Sequence, residues 1–147
     1  MAETTILTIT PSQVLPDYGG DRYVGKAGTT ITAGQAVYLD STTGTCKLAD
    51  ANLSALESLE AESIGIALHA SLAGQPLVVQ RGGDITLGAG ADPLSGVVYI
   101  LSGTAGGIAP FGLFANNPNY WATIIGVGLG GGMLRLSIGP SRQLQAA

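Results

Sequence analysis

The stretch from Ala33 to Ala49, AGQAVYLDSTTGTCKLA, decides the fold because it has the pattern of a β-hairpin. Residues 36–39 are apolar, β-branched or aromatic, a composition that favours a half-buried strand. The segment from Asp40 to Gly44 supplies side-chain acceptors for turn amides, and Gly44 can take a positive φ at little cost. The sequence therefore predicts two antiparallel strands joined by a tight loop, with Cys46 in the return strand.

The hairpin pattern occurs a second time along the chain. An offset of 61 residues aligns Tyr38 with Tyr99 and Gly65 with Gly126. Val98-Tyr99-Ile100 is also followed by a short Ser/Gly/Thr-rich segment, as the first hairpin strand is. Because two separated blocks share one register, the sequence predicts two tandem modules, each with a hairpin, an excursion and a second hairpin.

These modules define the predicted domain organisation. They cover about residues 28–81 and 86–140 and together form a single β-domain over residues 25–140. We expect an all-β fold, either a small β-barrel or a β-sandwich of jelly-roll-like form, because both arrangements reduce exposed sheet edges. Residues 141–147 are expected to be a loose tail.

Two local features qualify the all-β prediction. Leucines at near-helical spacing between residues 50 and 63 predict one short helix, which would cover one end of the domain. This segment also carries four of the ten acidic residues, as Asp50, Glu57, Glu60 and Glu62. Gly82-Gly83 predicts a break between two strands.

Residues 1–24 differ from the rest of the chain. A strand-like alternation over residues 4–10 is interrupted by Pro11 and Pro16. Two interpretations remain open: an extended N-terminal arm that lies on a neighbouring subunit, or an edge strand followed by an irregular loop. The candidate interface residues of this segment are Ile6, Leu7, Ile9, Tyr18, Arg22 and Tyr23.

Charge is unevenly distributed along the sequence. The net charge of −4 argues against electrostatic binding of nucleic acid, which needs a basic face. Residues 93–134 contain no Asp, Glu, Lys, Arg or His. A domain this small cannot bury so long a segment within itself, so we expect another chain to cover part of it. The sequence thus predicts self-association.

A membrane protein and a secreted disulfide scaffold are both disfavoured. The most apolar run, residues 121–134, is broken by glycines and is shorter than the ~20 residues of a membrane-spanning helix. The N-terminus lacks the basic and apolar regions of a signal peptide, and a single cysteine allows no intrachain disulfide. We expect a soluble protein made inside the cell.

Aromatic residues are concentrated in the excursion of the second module, FGLFANNPNY, and directly after it. They would either fill one end of the β-domain or anchor an interface, where large aromatic side chains dominate the binding energy. The absence of charge in residues 93–134 favours the interface. The candidate interface residues here are Phe111, Phe114, Asn117, Tyr120 and Trp121.

No arrangement typical of catalysis or metal binding is present in the sequence. His69 is the sole histidine, and it has no nucleophile motif beside it. Cys46 is expected to act as a small apolar residue. The glycine runs lack the Gly-Lys-Ser/Thr of a phosphate loop, and the carboxylates lack the spacing of a calcium loop. We predict no catalytic, metal-binding or cofactor-binding residues.

Residues 28–39, GTTITAGQAVYL, and residues 63–67, SIGIA, resemble the small capsid decoration (cement) proteins of tailed bacteriophages. The resemblance covers mainly residues 24–90. It implies a non-enzymatic virion protein, made in the host cytoplasm, that binds the outside of an assembled head and clamps neighbouring major capsid subunits. It further implies a homodimer or homotrimer. From the charge and the apolar runs above, we expect neither nucleic acid nor membrane as a partner. Basic residues that could face an acidic capsid surface are Arg22, Lys26, Arg81, Arg135 and Arg142.

Two alternatives stand beside this expectation. The turn at residues 31–37 is also typical of small barrel domains that bind a ligand or another protein, although no lysine occupies the position at which such a turn carries a lipoyl or biotinyl group. A small hydrolase or lyase is less favoured, because His69 is the sole plausible base.

Overall fold

The computed structural model describes residues 7, 9, 11–18, 21–49, 63–88, 93, 95–102, 106–110, 121–138 and 142–143. A one-turn 3-10 helix, Pro11–Gln13, precedes the first strand. The predicted acidic helix lies outside the described residues except at Ser63, where a strand begins. The strands, in chain order, are β1 (Leu15–Tyr18), β2 (Arg22–Lys26), β3 (Ala36–Asp40), β4 (Thr45–Leu48), β5 (Ser63–Ala67), β6 (Pro76–Gln80), β7 (Gly82–Thr86), β8 (Val98–Leu101), β9 (Ile108–Pro110), β10 (Trp121–Ala122), β11 (Ile124–Gly130), β12 (Met133–Ser137) and β13 (Arg142–Gln143).

Two antiparallel sheets carry the fold. One has six strands in the order β1-β7-β12-β11-β8-β9, and the other has five in the order β2-β6-β5-β3-β4. Strands β10 and β13 form a separate pair. The all-β prediction is confirmed, and the sheets are not closed into a barrel. The two ends of the five-stranded sheet, β2 and β4, approach each other at an isolated bridge between Ala27 and Cys46, where the Gly28 N–H donates to the Cys46 carbonyl at 2.7 Å.

The strand order repeats between the two sheets. In the five-stranded sheet the order β4-β3-β5-β6 comes from the first half of the chain. In the six-stranded sheet the order β9-β8-β11-β12 comes from the second half. The predicted hairpin of residues 33–49 is confirmed as β3 and β4, whose register pairs Asp40 with Thr45. The strand order therefore has the repetition that two tandem hairpin modules require.

The repeat extends to a β-bulge in each sheet. In β5 the pairing with β3 skips Ile64, and in β11 the pairing with β8 skips Ile125. The glycine that follows each bulge, Gly65 or Gly126, lies against the backbone carbonyl of the next strand. A bulge leaves one residue unpaired and increases the local twist of the strand. The spacing of 61 residues thus aligns the bulged strands β5 and β11. The partner register differs by one residue, since Gly65 pairs with Val37 and Gly126 pairs with Tyr99.

Two apolar clusters stabilise the sheets because neighbouring side chains of a strand point to opposite faces. The larger cluster joins both sheets: Ala36, Tyr38 and Ile66 from one pack with residues from the other, including Tyr99, Leu101, Ile125, Leu134 and Leu136. The smaller cluster lies on the opposite face of the five-stranded sheet and consists of Ala27, Ile31, Val37, Cys46, Ala67, Leu77 and Val79. The apolar run in β3 is therefore buried on both faces.

The chain passes from one sheet to the other between β1 and β2 and again between β6 and β7. The two crossings are joined at Asp21 and Arg81, through a backbone hydrogen bond of 2.6 Å and an ion pair of 2.7 Å. The predicted break at Gly82-Gly83 is wrong, because both glycines lie inside β7. The direction changes at Arg81 instead, while Gly83 takes a φ of 76° and still pairs with Leu136.

The N-terminal part of the chain packs on the protein's own sheets where it is described. The Leu7 N–H donates to the Ile108 carbonyl at 2.8 Å, at the edge of the six-stranded sheet. Leu7 and Ile9 pack against the larger apolar cluster, in which Val14 is buried. Strand β1 forms the other edge of this sheet. Residues 15–18 are therefore an edge strand.

Candidate interaction surface

The outward side of the six-stranded sheet carries an apolar region on β8 and β11. Cross-strand pairing places Val98 opposite Val127 and Ile100 opposite Ile124. Between them along the strands, Tyr99 and Ile125 point the other way, into the larger cluster. We define Val98, Ile100, Ile124 and Val127 as the outer face, although Ile100 is buried (1% exposed) and Val127 is partly buried. Ile124 is 43% exposed and Val98 is 36% exposed, so part of this apolar surface is in contact with solvent.

An ion pair lies on the same sheet, on β7 and β12. The Arg135 guanidinium donates from Nε to Asp84 Oδ1 at 2.9 Å and from an Nη to Oδ2 at 3.3 Å. The hydrogen bond from Arg135 lowers the pKa of Asp84, and the same contact raises the pKa of Arg135. Because Arg135 pairs in register with Val127, this charged pair directly borders the outer face.

A second exposed feature lies on β2, the end strand of the five-stranded sheet. Its side chains alternate, so Arg22, Val24 and Lys26 are exposed while Tyr23 and Gly25 are partly buried. Val24 is 68% exposed, more than any other large apolar side chain in the described part of the chain. Tyr23 packs against the smaller cluster from the opposite face of the strand.

The described cations divide into paired and unpaired groups. Lys47 contacts Asp40 at 2.8 Å, and Arg81 and Arg135 have the aspartate partners given above. The hydrogen bond from Lys47 lowers the pKa of Asp40. Across the described residues, Arg22 and Lys26 have no acidic partner within ion-pair distance. Among the cations whose side chains the structure describes, the two without an acidic partner therefore both lie on β2.

The structure places the predicted interface residues in separate regions. Leu7 and Ile9 lie on the larger cluster near β9, whereas Arg22 and Tyr23 belong to β2. Tyr18 pairs with Asp84 through the backbone, and Trp121 pairs with Gln143 in β10 and β13. Those described residues do not form one continuous strand or sheet face. Five further predicted residues lie outside the described part of the chain: Ile6, Phe111, Phe114, Asn117 and Tyr120.

Both ring nitrogens of His69 contact the backbone. With Nδ1 protonated, the ring donates to the Ala70 carbonyl at 2.9 Å and accepts the Val78 N–H on Nε2 at 3.1 Å. The side chain is exposed, in agreement with the expected surface position. Cys46 is buried in the smaller cluster, as an apolar residue would be, and burial raises the pKa of its thiol.

Two clefts lie beside the turns that end in Gln35 and Gln75. One has a volume of about 240 Å³ and is bordered by Leu7, Ile9 and the turn at residues 32–35. The other has a volume of about 180 Å³ and is bordered by Ile31, Ser71 and Leu72. Ligand pockets usually enclose ~300–1,000 Å³, so both clefts are small for a drug-sized molecule. Over the described residues, no group of three or more His, Cys, Asp or Glu side chains could hold a metal ion.

Sequence reasoning missed the exposed apolar residues Val24, Val98 and Ile124. For Val24 the signal was available, since Arg22 and Lys26 flank it at a spacing of two in a strand-like segment. For Ile124 it was not, because the bulge at Ile125 decides which of two adjacent isoleucines faces outward.

Comparison with protein-family models and with curated proteins gives no match for this sequence. Among the residues that the structure describes, no helix is long and apolar enough to span a membrane.

Proposed function

We propose that the protein is a structural virion component that binds the outer surface of an assembled phage head and stabilises contacts between major capsid subunits. It would be made in the host cytoplasm and located on the capsid exterior. Three points support the proposal: the resemblance of residues 28–39 and 63–67 to decoration proteins, the all-β scaffold of two packed sheets, and exposed apolar surface in the uncharged segment of residues 93–134.

The observation that carries the proposal is the partly exposed outer face on β8 and β11. Val98 and Ile124 belong to residues 93–134, which contain no charged side chain. Covering the exposed fraction of each would contribute about 1 kcal/mol, since full burial of such a side chain contributes about 1.5–3 kcal/mol. A contact of this size is weak alone, but a decoration protein occupies many equivalent sites, and an oligomer binds several of them at once.

Self-association as a homodimer or homotrimer forms part of the proposal. The predicted aromatic anchors Phe111, Phe114, Tyr120 and Trp121 follow β9 and lead into β10 and β11 in the chain. Strand β11 also carries Ile124 of the outer face, so one sequence segment would supply contacts of both kinds.

A small β-domain that binds another protein is the second candidate. The exposed edge strand β2 favours a protein partner, whereas the small volumes of both clefts disfavour a drug-sized ligand. A hydrolase or lyase would need His69 as its base, and both of its ring nitrogens already contact the backbone. We therefore propose a non-enzymatic protein.

Co-sedimentation with heads tests the proposed function. Heads are assembled from the major capsid protein encoded nearest to this gene and mixed with wild-type protein, an Ile124→Asp variant or a Leu72→Asp variant. Leu72 provides the matched control because it is 58% exposed and lies in a loop away from the outer face.

We expect the wild type and Leu72→Asp to migrate with the heads through a sucrose gradient. Ile124→Asp should bind at least about tenfold more weakly, because docking would desolvate a carboxylate without a partner. Wild-type protein that stays at the top of the gradient contradicts the proposal. Equal binding of all three proteins would show that the outer face does not contact the head.

A further inference from the structure

We propose that the open edge of β2 binds an extended acidic segment of another protein, which adds to the five-stranded sheet as a further strand. The segment would carry the pattern acidic–x–apolar–x–acidic. This inference goes beyond the proposed function, and it rests on that function only for the identity of the protein that supplies the segment.

The backbone of β2 is available on one side. Within its sheet the strand pairs with β6. On its other side β4 approaches the C-terminal end, where Ala27 bridges Cys46 and the Gly28 N–H donates to the Cys46 carbonyl at 2.7 Å, so the edge is open at Arg22 and Val24. Ala27 donates to the Gln75 carbonyl and Arg81 donates to the Asp21 carbonyl, so residues with odd numbers make the hydrogen bonds to β6. Hydrogen-bonded pairs alternate in an antiparallel ladder. The backbone N–H and C=O groups of Arg22 and Val24 therefore point to the open side.

The side chains of the same strand determine which segment would fit. Arg22, Val24 and Lys26 are all exposed and lie on one face of the strand at a spacing of two. The two cations have no acidic partner in the described part of the chain, and the valine between them is 68% exposed. An added strand would pair residues j and j+2 with Arg22 and Val24, while residue j+4 would lie past the open edge, beside β4, and contact only the side chain of Lys26. Acidic residues at the ends and an apolar residue in the centre match them.

The segment must come from a different protein. A pair of acidic residues four positions apart occurs in this sequence at Asp17 and Asp21, with Gly19 rather than an apolar side chain in the centre. Asp21 is also bound to Arg81 already. A second copy of the chain therefore has no segment with the required pattern, whereas an acidic arm or strand on a head subunit would provide one. Recognition by strand addition gives affinity through the backbone and specificity through alternate side chains.

A peptide titration followed by NMR tests the inference. The probe is the peptide Thr-Glu-Thr-Val-Thr-Glu-Thr at millimolar concentration, and the control probe carries lysine in place of both glutamates. One protein variant, Arg22→Gln/Lys26→Gln, removes the two unpaired charges. Its control, Arg135→Gln, removes a positive charge that is already paired and lies in the other sheet.

We expect the glutamate probe to shift the amide signals of Arg22 and Val24 and to slow their hydrogen exchange. Binding should weaken by about fivefold in Arg22→Gln/Lys26→Gln, because two exposed ion pairs are lost, and by less than about twofold in the control variant. The lysine probe should bind more weakly than the glutamate probe.

Three results would overturn the inference: no change at β2 with the glutamate probe, an equal response to both probes, or equal weakening in both variants. Failure of the peptide to bind would not affect the conclusion drawn from co-sedimentation with heads. Failure to bind heads would likewise leave the peptide result standing, so the two proposals are tested separately.

Discussion

Gly65 and Gly126 occupy equivalent positions after the two bulges, and the structure predicts that neither tolerates a methyl group. A Cβ atom at Gly65 would collide with the main-chain carbonyl oxygen of Gln80 and would lie 2.7 Å from Val79 Cγ1. At Gly126 it would collide with the carbonyl oxygen of Arg135 and lie 3.2 Å from Leu136 Cα. The perturbation is Gly65→Ala or Gly126→Ala.

The expected loss follows from the kind of atom that blocks the methyl group. Overpacking costs about 1–3 kcal/mol, and the upper end applies here because the obstacle is the backbone of a paired strand. Replacement of glycine by alanine also restricts the unfolded chain, which offsets the loss by up to about 1 kcal/mol. The net destabilisation is therefore about 2 kcal/mol, or roughly 7 °C in Tm for a protein of this size.

Gly82→Ala provides the matched control. Gly82 also lies in a strand, and a Cβ atom there would meet nothing within 4 Å. We expect this variant to be as stable as the wild type or up to about 1 kcal/mol more stable.

Thermal and urea unfolding, followed by far-UV circular dichroism, measure the difference between these variants. The repeat predicts that Gly65→Ala and Gly126→Ala lose similar amounts of stability. Either variant unfolding at the same temperature as Gly82→Ala would refute the packing argument at that position.

Three further predictions concern other parts of the molecule. Hydrogen bonds from cations lower the pKa of Asp40 and Asp84, so each carboxylate stabilises the folded protein fully above the ordinary carboxyl pKa of about 4 and loses this effect as the pH falls through its lowered pKa. Urea unfolding measured from about pH 5 to about pH 2 should therefore show a smaller loss of stability in Asp84→Asn than in the wild type. The same loss in both proteins would contradict this. Gln80 is fully buried and donates to two carbonyls of β7. Gln80→Glu would bury an unpaired carboxylate against these carbonyls, so the variant should be about 3 kcal/mol less stable than the wild type at pH 7 and should regain stability on acidification. A Gln80→Glu variant as stable as the wild type at pH 7 would contradict this. Phe114→Ser/Tyr120→Ser should weaken self-association with the fold intact, as measured by light scattering and circular dichroism, and loss of folding would instead indicate a role in the core.

The features that sequence predicted best depend on neighbouring residues. The hairpin of residues 33–49 follows from strand-forming residues on both sides of a loop with suitable turn chemistry. Gly44 in that loop has a φ of 73°, as the turn requires. The repeat could also be predicted from the sequence, because both modules have the same order of strands along the chain.

Features that depend on distant residues were not predictable. Assignment of β1 and β2 to different sheets is decided by partners about 60 residues away along the chain, as in the Asp21–Arg81 pair. The same is true of which cations remain free, since Arg135 finds its partner 51 residues away. From the sequence alone, Arg22, Arg81 and Arg135 were equally good candidates for contact with an acidic surface. The structure separates them because two of the three are already paired.

Local patterns also misled where glycine or a bulge alters the alternation. Gly82-Gly83 reads as a turn, yet pairing with β12 holds both glycines in a strand. In β11 the skipped residue Ile125 puts Ile124 and Val127 on one face, which simple alternation would separate. The outer face could therefore be located only once the register between β8 and β11 was known.

The temperature at which heads rupture, with and without bound protein, tests the central claim most directly. Purified heads are saturated with the protein, and release of packaged DNA is followed by dye fluorescence during heating. If the protein clamps neighbouring capsid subunits, the rupture temperature should rise with occupancy and stop rising at saturation, because binding to the intact head stabilises it by mass action. Heads that carry the protein at full occupancy yet rupture at the same temperature as bare heads would contradict the account.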